Sequence, residues 1–98
     1  MIVITGSVTA KPGSIDLLRR EGVAHSERSR REDGCLGHAC YLDAERPEQL
    51  FFYEQWRDMA AVEAHFRHPD TSRIMAAVRE HAEASEGPTL LVASPVGR

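Results

Sequence analysis

Three residue types that can do chemistry fall close together in this chain. Glu54, Trp56 and His65 lie within the segment Gln49 to Phe66, QLFFYEQWRDMAAVEAHF. A neutral imidazole, with an unperturbed pKa of about 6.5, can accept a phenolic proton near neutral pH. An indole can wall a pocket against a flat ring, and a carboxylate can orient a neighbouring group. The same three residues also suit a packed corner of a core. There the indole N–H finds one partner, the carboxylate pairs with Arg57, His65 or His81, and the histidine is simply hydrogen-bonded. From the residue types alone, a reaction chamber and a structural corner both stand.

Other motifs add little chemistry. His65 and His68 form an H-x-x-H pair, but zinc takes three or four protein donors and Pro69 follows at once, so no metal is expected. His25 and His38 read as structural or exposed, with the capacity to line a cavity. The chain has no G-x-S-x-G, G-x-G-x-x-G or G-x-x-x-x-G-K-[ST] pattern, so hydrolase, nucleotide and flavin readings have no motif behind them. Cys35 and Cys40, if both lie on one strand, are roughly 16 Å apart and on opposite faces, too far for a disulfide. Two reduced thiols suit a cytoplasmic location.

Charge and hydropathy narrow the partners. A formal net charge of -3 argues against nucleic acid, which calls for a basic surface. The arginines from Arg19 to Arg31 alternate with Glu21, Glu27, Glu32 and Asp33, as on a solvated helix face. No apolar run approaches the ~20 residues that span a bilayer, so no membrane partner is expected. Residues 1–10 lack a basic leader and alternate like a strand rather than a signal peptide.

The elements that must position the chemical residues follow from periodicity. Ile2, Ile4 and Val8 mark a first strand, ended by Pro12-Gly13, with Ser14 placed to cap a helix. Ile15, Leu18, Gly22, His25 and Ser29 then keep helical spacing until Asp33-Gly34. Cys35 to Leu42 reads as a second strand and Leu50 to Trp56 as a third, with a hairpin loop over Asp43 to Glu48. On the third strand Leu50, Phe52, Glu54 and Trp56 share a face, opposite Phe51, Tyr53 and Gln55. Asp58 can cap a short helix with Val62, His65 and Phe66 on one side. Pro69 ends it, and a longer helix starts at Asp70, with Ile74, Ala77, Val78 and His81 inward, and runs to Gly87-Pro88. Leu90 to Ser94 is the expected last strand. The order predicts one domain over residues 1–98, an α+β ferredoxin-like βαββαβ sandwich with an antiparallel sheet and helices on one face. The uncovered face carries Phe51 and Tyr53, which predicts a homodimer packed through the sheets.

In three segments the chain resembles the antibiotic-biosynthesis monooxygenase family, which includes quinol monooxygenases. These are TAKPGSIDLL (Thr9–Leu18), EDGCLGHACYLD (Glu32–Asp43) and above all FFYEQWRDMAAVEAHF (Phe51–Phe66). The resemblance implies a ferredoxin-like dimer that oxidises a small phenolic, quinol or polyketide-like aromatic with O2, without metal, flavin or haem. By position, Trp56 would line and hydrogen-bond the substrate pocket, His65 would be the acid–base group, and Glu54 would orient a partner. Phe52, Phe66, His25 and His81 are the residues placed to line the pocket. The chain departs from the family in two places. It contains no asparagine, and Phe52 stands where a polyketide-oxidising member has one, so quinol-type members are the nearer comparison and haem degradation is not implied. A non-catalytic small-molecule-binding or stress-associated dimer on the same scaffold is the alternative, and an oxygen-independent isomerase is a third reading.

Overall fold

The structure is a computed structural model and describes residues 1–97. Its elements are β1 (Ile2–Ala10), α1 (Ile15–Ser29), β2 (Cys35–Leu42), β3 (Gln49–Trp56), α2 (Met59–Arg67), α3 (Thr71–His81) and β4 (Ala82–Val92). The four strands form one sheet in the order β2-β3-β1-β4, with every neighbouring pair antiparallel. This is the expected βαββαβ arrangement, with the second helical segment split in two at Pro69. No helix among the described residues is long and apolar enough to cross a membrane.

The inward face of the sheet follows the alternation read from β3. Leu50 and Trp56 are fully buried, while Phe51 on the opposite face is exposed. Two apolar clusters form the core. One joins Ile2, Ile4, Trp56, Ala61 and Val62, and the other joins Val8, Ala10, Leu18 and Leu50, with Phe52 packed against it. Glu54 lies on the β3 face between the strand positions that feed these two clusters.

Helix α1 has few large side chains to bury, and Gly22 shows how it still packs. A Cβ at Gly22 would stand 3.1 Å from both Cys40 Sγ and Phe52 Cζ, so the bare backbone lets the helix settle against the sheet. The two serines of the buried side of α1 are satisfied locally. Ser29 Oγ donates to the His25 carbonyl at 2.7 Å, and Ser26 Oγ lies 2.8 Å from His38 Nδ1.

Three expectations need correction. Helix α3 stops at His81 rather than at Gly87-Pro88, because the chain from Ala82 onward pairs with β1. Gly87 and Pro88 sit inside β4, where a register shift sets them opposite Gly6 and the missing proline N–H falls outside the regular ladder. In the β2–β3 pair, a shift between Cys35 and Gly37 breaks the alternation of β2. Cys35 therefore packs on the core, and Cys40 Sγ also points at α1, so the two thiols do not take opposite faces. Both are free, and burial raises both pKa values.

The turn from α1 into β2 rests on Gly34, whose φ is +84°. A Cβ there would also meet Ala61 Cβ at 2.5 Å. Gly34→Ala combines left-handed strain with a clash against α2. It is expected to destabilise the fold by about 2–4 kcal/mol, read as a lower urea midpoint with an unchanged slope.

Candidate functional site

Four elements deliver a buried polar cluster to one place: His25 from α1, His38 from β2, Glu54 from β3 and His65 from α2. All four residues are buried, His65 at 2% relative exposure and His38 at 3%. Their convergence has local causes. Asp58 caps α2 by accepting the Ala61 N–H at 2.9 Å, which fixes the helix that carries His65 inward. His38 and Glu54 are directly opposed cross-strand partners in the β2–β3 hairpin, so their side chains leave the sheet on the same side.

Glu54 is the hub. Its Oε1 accepts the Trp56 indole N–H at 2.9 Å and stands 3.4 Å from His38 Nε2 and 3.8 Å from His65 Nε2. These two histidine contacts attract the carboxylate only when the rings carry a proton, and the His38 nitrogen has no aligned hydrogen bond. Burial alone would raise the Glu54 carboxyl. His38, the Trp56 N–H and His65 outweigh it and hold the group below the ordinary carboxylate range.

His65 is gripped from its far side. Its Nδ1 lies 3.0 Å from Glu32 Oε1 and 3.2 Å from Oε2. An ionised carboxylate can only accept, so Nδ1 carries the proton in the neutral ring and Nε2 presents a lone pair. The Trp56 ring packs over the imidazole with centroids 4.5 Å apart. His25 completes the group, with ring centroids 5.0 Å from His38 and 5.3 Å from His65. Burial, then the neighbouring His38 and His65, push its pKa down to about 3.

A cavity of about 410 Å³ opens beside the cluster. His25, Glu54 and His65 belong to its polar wall, with Glu86 and several hydroxyl residues, and Phe52, Phe66 and Ile74 belong to its apolar wall. A volume of this size suits a small-molecule ligand. A second depression, of about 600 Å³, is rimmed by Arg28, Arg31, Asp33, Arg57 and Asp70. There Arg57 pairs with Asp33 and Arg28 approaches Asp70, so that rim is a set of surface ion pairs.

Of the residues expected at the pocket, His25, Phe52, Glu54, His65 and Phe66 line the cavity and two do not. Trp56 is fully buried in the apolar core, and its N–H is taken by Glu54, so it positions the carboxylate and does not line the pocket. His81 lies outside the wall because α3 ends there, with its ring 3.7 Å from Glu80. Arg57, considered as a partner for Glu54, is turned to Asp33 and Asp58. Two further participants are His38, which the sequence left as structural, exposed or cavity-lining, and Glu32, which it left on a solvated helix face. Counting the hairpin back from Leu42 opposite Leu50 places His38 opposite Glu54, so that signal was present. Nothing in the sequence marks Glu32, which reaches His65 from the α1–β2 turn.

Trp56→Phe keeps an aromatic side chain but removes the donor to Glu54 and part of the buried indole volume. It is expected to cost about 1–3 kcal/mol, measured by circular dichroism during urea unfolding because the sole tryptophan is lost.

Comparison with known proteins agrees with this architecture. The family model for antibiotic biosynthesis monooxygenase matches residues 1–77. A Deinococcus radiodurans protein that carries the same family name superposes with a TM-score of 0.92 at 22% identity, covering 100% of this chain and 97% of that one. Rv0793 from Mycobacterium tuberculosis superposes with a TM-score of 0.85 at 23% identity, over 99% and 98% of the two chains. At these identities the likeness speaks for the fold. An uncharacterized Synechocystis protein, sll1783, is 32% identical over 68 residues, which is 69% of this chain but only 46% of that protein. The chain thus spans about half the length of that relative. With the family match covering most of its length and the same monooxygenase-like fold throughout, the chain belongs to the antibiotic biosynthesis monooxygenase family.

Proposed function

We propose that this protein is a monooxygenase that oxidises a small electron-rich aromatic, a phenol, quinol or polyketide-like ring, with O2 and no organic cofactor. The observation that carries the reading is the apolar cavity of about 410 Å³ with His25, Glu54 and His65 in its wall. The cavity is open rather than filled by Phe52, Trp56 and Phe66, which favours this reading over a non-catalytic scaffold.

In the proposed reaction His65 Nε2 takes the phenolic proton, and the Glu32 carboxylate at Nδ1 stabilises the imidazolium that forms. The resulting anion passes one electron to O2, giving an aryloxyl radical and superoxide. These combine at a ring or methylene carbon, and the imidazolium returns its proton to the peroxide. Loss of water across the C–H and O–OH bonds leaves a carbonyl. One oxygen atom enters the product, the other leaves as water with two substrate hydrogens, and no external reductant is needed. The protein's share is to bind, to favour the anion and to keep bulk water out. Neutral His25 offers the substrate a hydrogen-bonding partner beside the base.

The reading treats residues 1–98 as one domain and places its partner copy against the outer face of the sheet. Tyr41, Phe51 and Leu91 are exposed there, and β4 is exposed along nearly its whole length, which supports a homodimer. The test is O2 consumption by chelator-treated protein with a panel of quinols and anthrones. Quinone formation above the spontaneous rate is expected. Oxidation no faster than in buffer sinks the proposal, and turnover under argon would transfer the site to isomerase chemistry.

A further inference from the structure

We propose that His25, His38 and His65 form a binding site for one divalent transition-metal ion, with Glu54 as the adjoining carboxylate. One ring nitrogen from each histidine lies within 4.8 Å of the other two, and all three residues are buried. From sequence the H-x-x-H pair of α2 alone offers too few donors, so no metal is expected there. The cluster is built instead from three separate elements and leaves His68 outside.

Two features separate this cluster from ordinary core histidines. His25 Nδ1 and His38 Nε2 are both buried without a hydrogen-bond partner. An unsatisfied buried nitrogen costs about 1–3 kcal/mol, so two in one place call for an occupant. The outward nitrogens are also already held. Ser26 Oγ holds His38 Nδ1 at 2.8 Å and the Glu32 carboxylate holds His65 Nδ1 at 3.0 Å, which directs both Nε2 atoms toward Glu54 Oε1. Fixing one ring nitrogen with a carboxylate or hydroxyl so that the other faces a metal is how ligating histidines are normally oriented.

Donor chemistry sets the class of ion. Three imidazoles suit Zn2+, Cu2+ or Co2+ and not the oxygen-seeking Mg2+ or Ca2+. Nitrogens around a tetrahedral ion with bonds of ~2.1 Å stand about 3.4 Å apart, so nitrogens now within 4.8 Å of one another close by up to about 1.4 Å on binding. Glu54 offsets part of the added charge. Because His25 and His65 also line the cavity, a fourth position would face it, as in sites of three protein nitrogens plus one exchangeable ligand. A filled site leaves no imidazole lone pair for the proton transfer proposed above. Metal binding is nevertheless independent of that reading, since it is measured without substrate.

The experiment titrates chelator-treated wild-type protein with Co2+, followed by visible absorption, and with Cu2+, followed by emission of the only tryptophan. The Trp56 ring lies 4.5 Å from His65, within reach of quenching. Saturation at one ion per chain is expected, with Zn2+ displacing Co2+. His25→Gln and His38→Gln should each weaken binding by more than about tenfold, and Ser26→Ala by about 10–100-fold. His68→Gln should leave binding unchanged. The wild-type titration decides the matter even where a cluster variant fails to fold. No saturable binding to natively folded wild-type protein overturns the proposal, as does binding that survives the cluster substitutions and disappears with His68→Gln.

Discussion

Replacing His65 with glutamine is expected to lower kcat for O2 uptake by about 10²–10⁴-fold, the usual worth of a positioned general base. The expectation rests on the orientation of the ring. Glu32 fixes Nδ1 at 3.0 Å, Trp56 packs on the ring, and Thr71 Oγ1 donates to the His65 carbonyl at 2.7 Å. Glutamine keeps a polar side chain in that space and removes the proton acceptor. Glu32→Gln tests the same proton transfer from behind, by replacing the charge that stabilises the imidazolium with a neutral amide. Hydrogen bonds to charged groups contribute about 1.5–3 kcal/mol, so a fall of about 10–100-fold is expected. KM should move little in either variant, because neither change alters the apolar wall of Phe52, Phe66 and Ile74. Steady-state O2 uptake over a range of quinol concentrations, with circular dichroism to confirm folding, gives kcat and KM for each variant. An unchanged kcat in His65→Gln would remove this residue from the chemistry and leave the cavity as a binding site.

The comparison of Trp56 with His38 shows what the sequence made legible. Trp56 is prominent in a pattern because tryptophan is rare and its neighbours match a family frame, yet its role here is packing and one hydrogen bond to Glu54. His38 looked incidental on a strand of small residues, yet it stands opposite Glu54 in the hairpin. Alternation correctly sorted the faces of β3 because that strand is regular from Gln49 to Trp56. It failed on β2, where the shift between Cys35 and Gly37 inverts the phase for the first residue. The end of α3 was unreadable for a similar reason. Ala82 to Glu86 has helix-compatible composition, and only the non-local pairing with β1 makes it a strand. Glu32 reaches His65 across 33 positions of sequence through a turn, and no local period encodes such a contact.

Metal-free protein should lose stability as pH falls from about 6.5, and His25 should account for most of the loss above the carboxylate range. The imidazole has an ordinary value of 6.5 in the unfolded chain and about 3 in the fold, lowered first by burial and then by His38 and His65. Between those two values the unfolded chain binds the proton and the native state does not, so falling pH favours unfolding. The slope for one such group is about 1.4 kcal/mol per pH unit, which makes a loss on the order of 2 kcal/mol between pH 6.5 and pH 5. Glu54 acts in a different window. Its carboxyl is held below the ordinary range, so its contribution persists through this interval and is lost only as pH falls further, through its own folded value. The two effects therefore separate on the pH axis. Urea unfolding at pH 7, 6 and 5 in the presence of chelator should show the decline in wild type and a nearly flat profile in His25→Gln, whose side chain does not titrate. Parallel slopes for the two proteins would mean that His25 takes up its proton in the native state, and with it that the cluster is open to water.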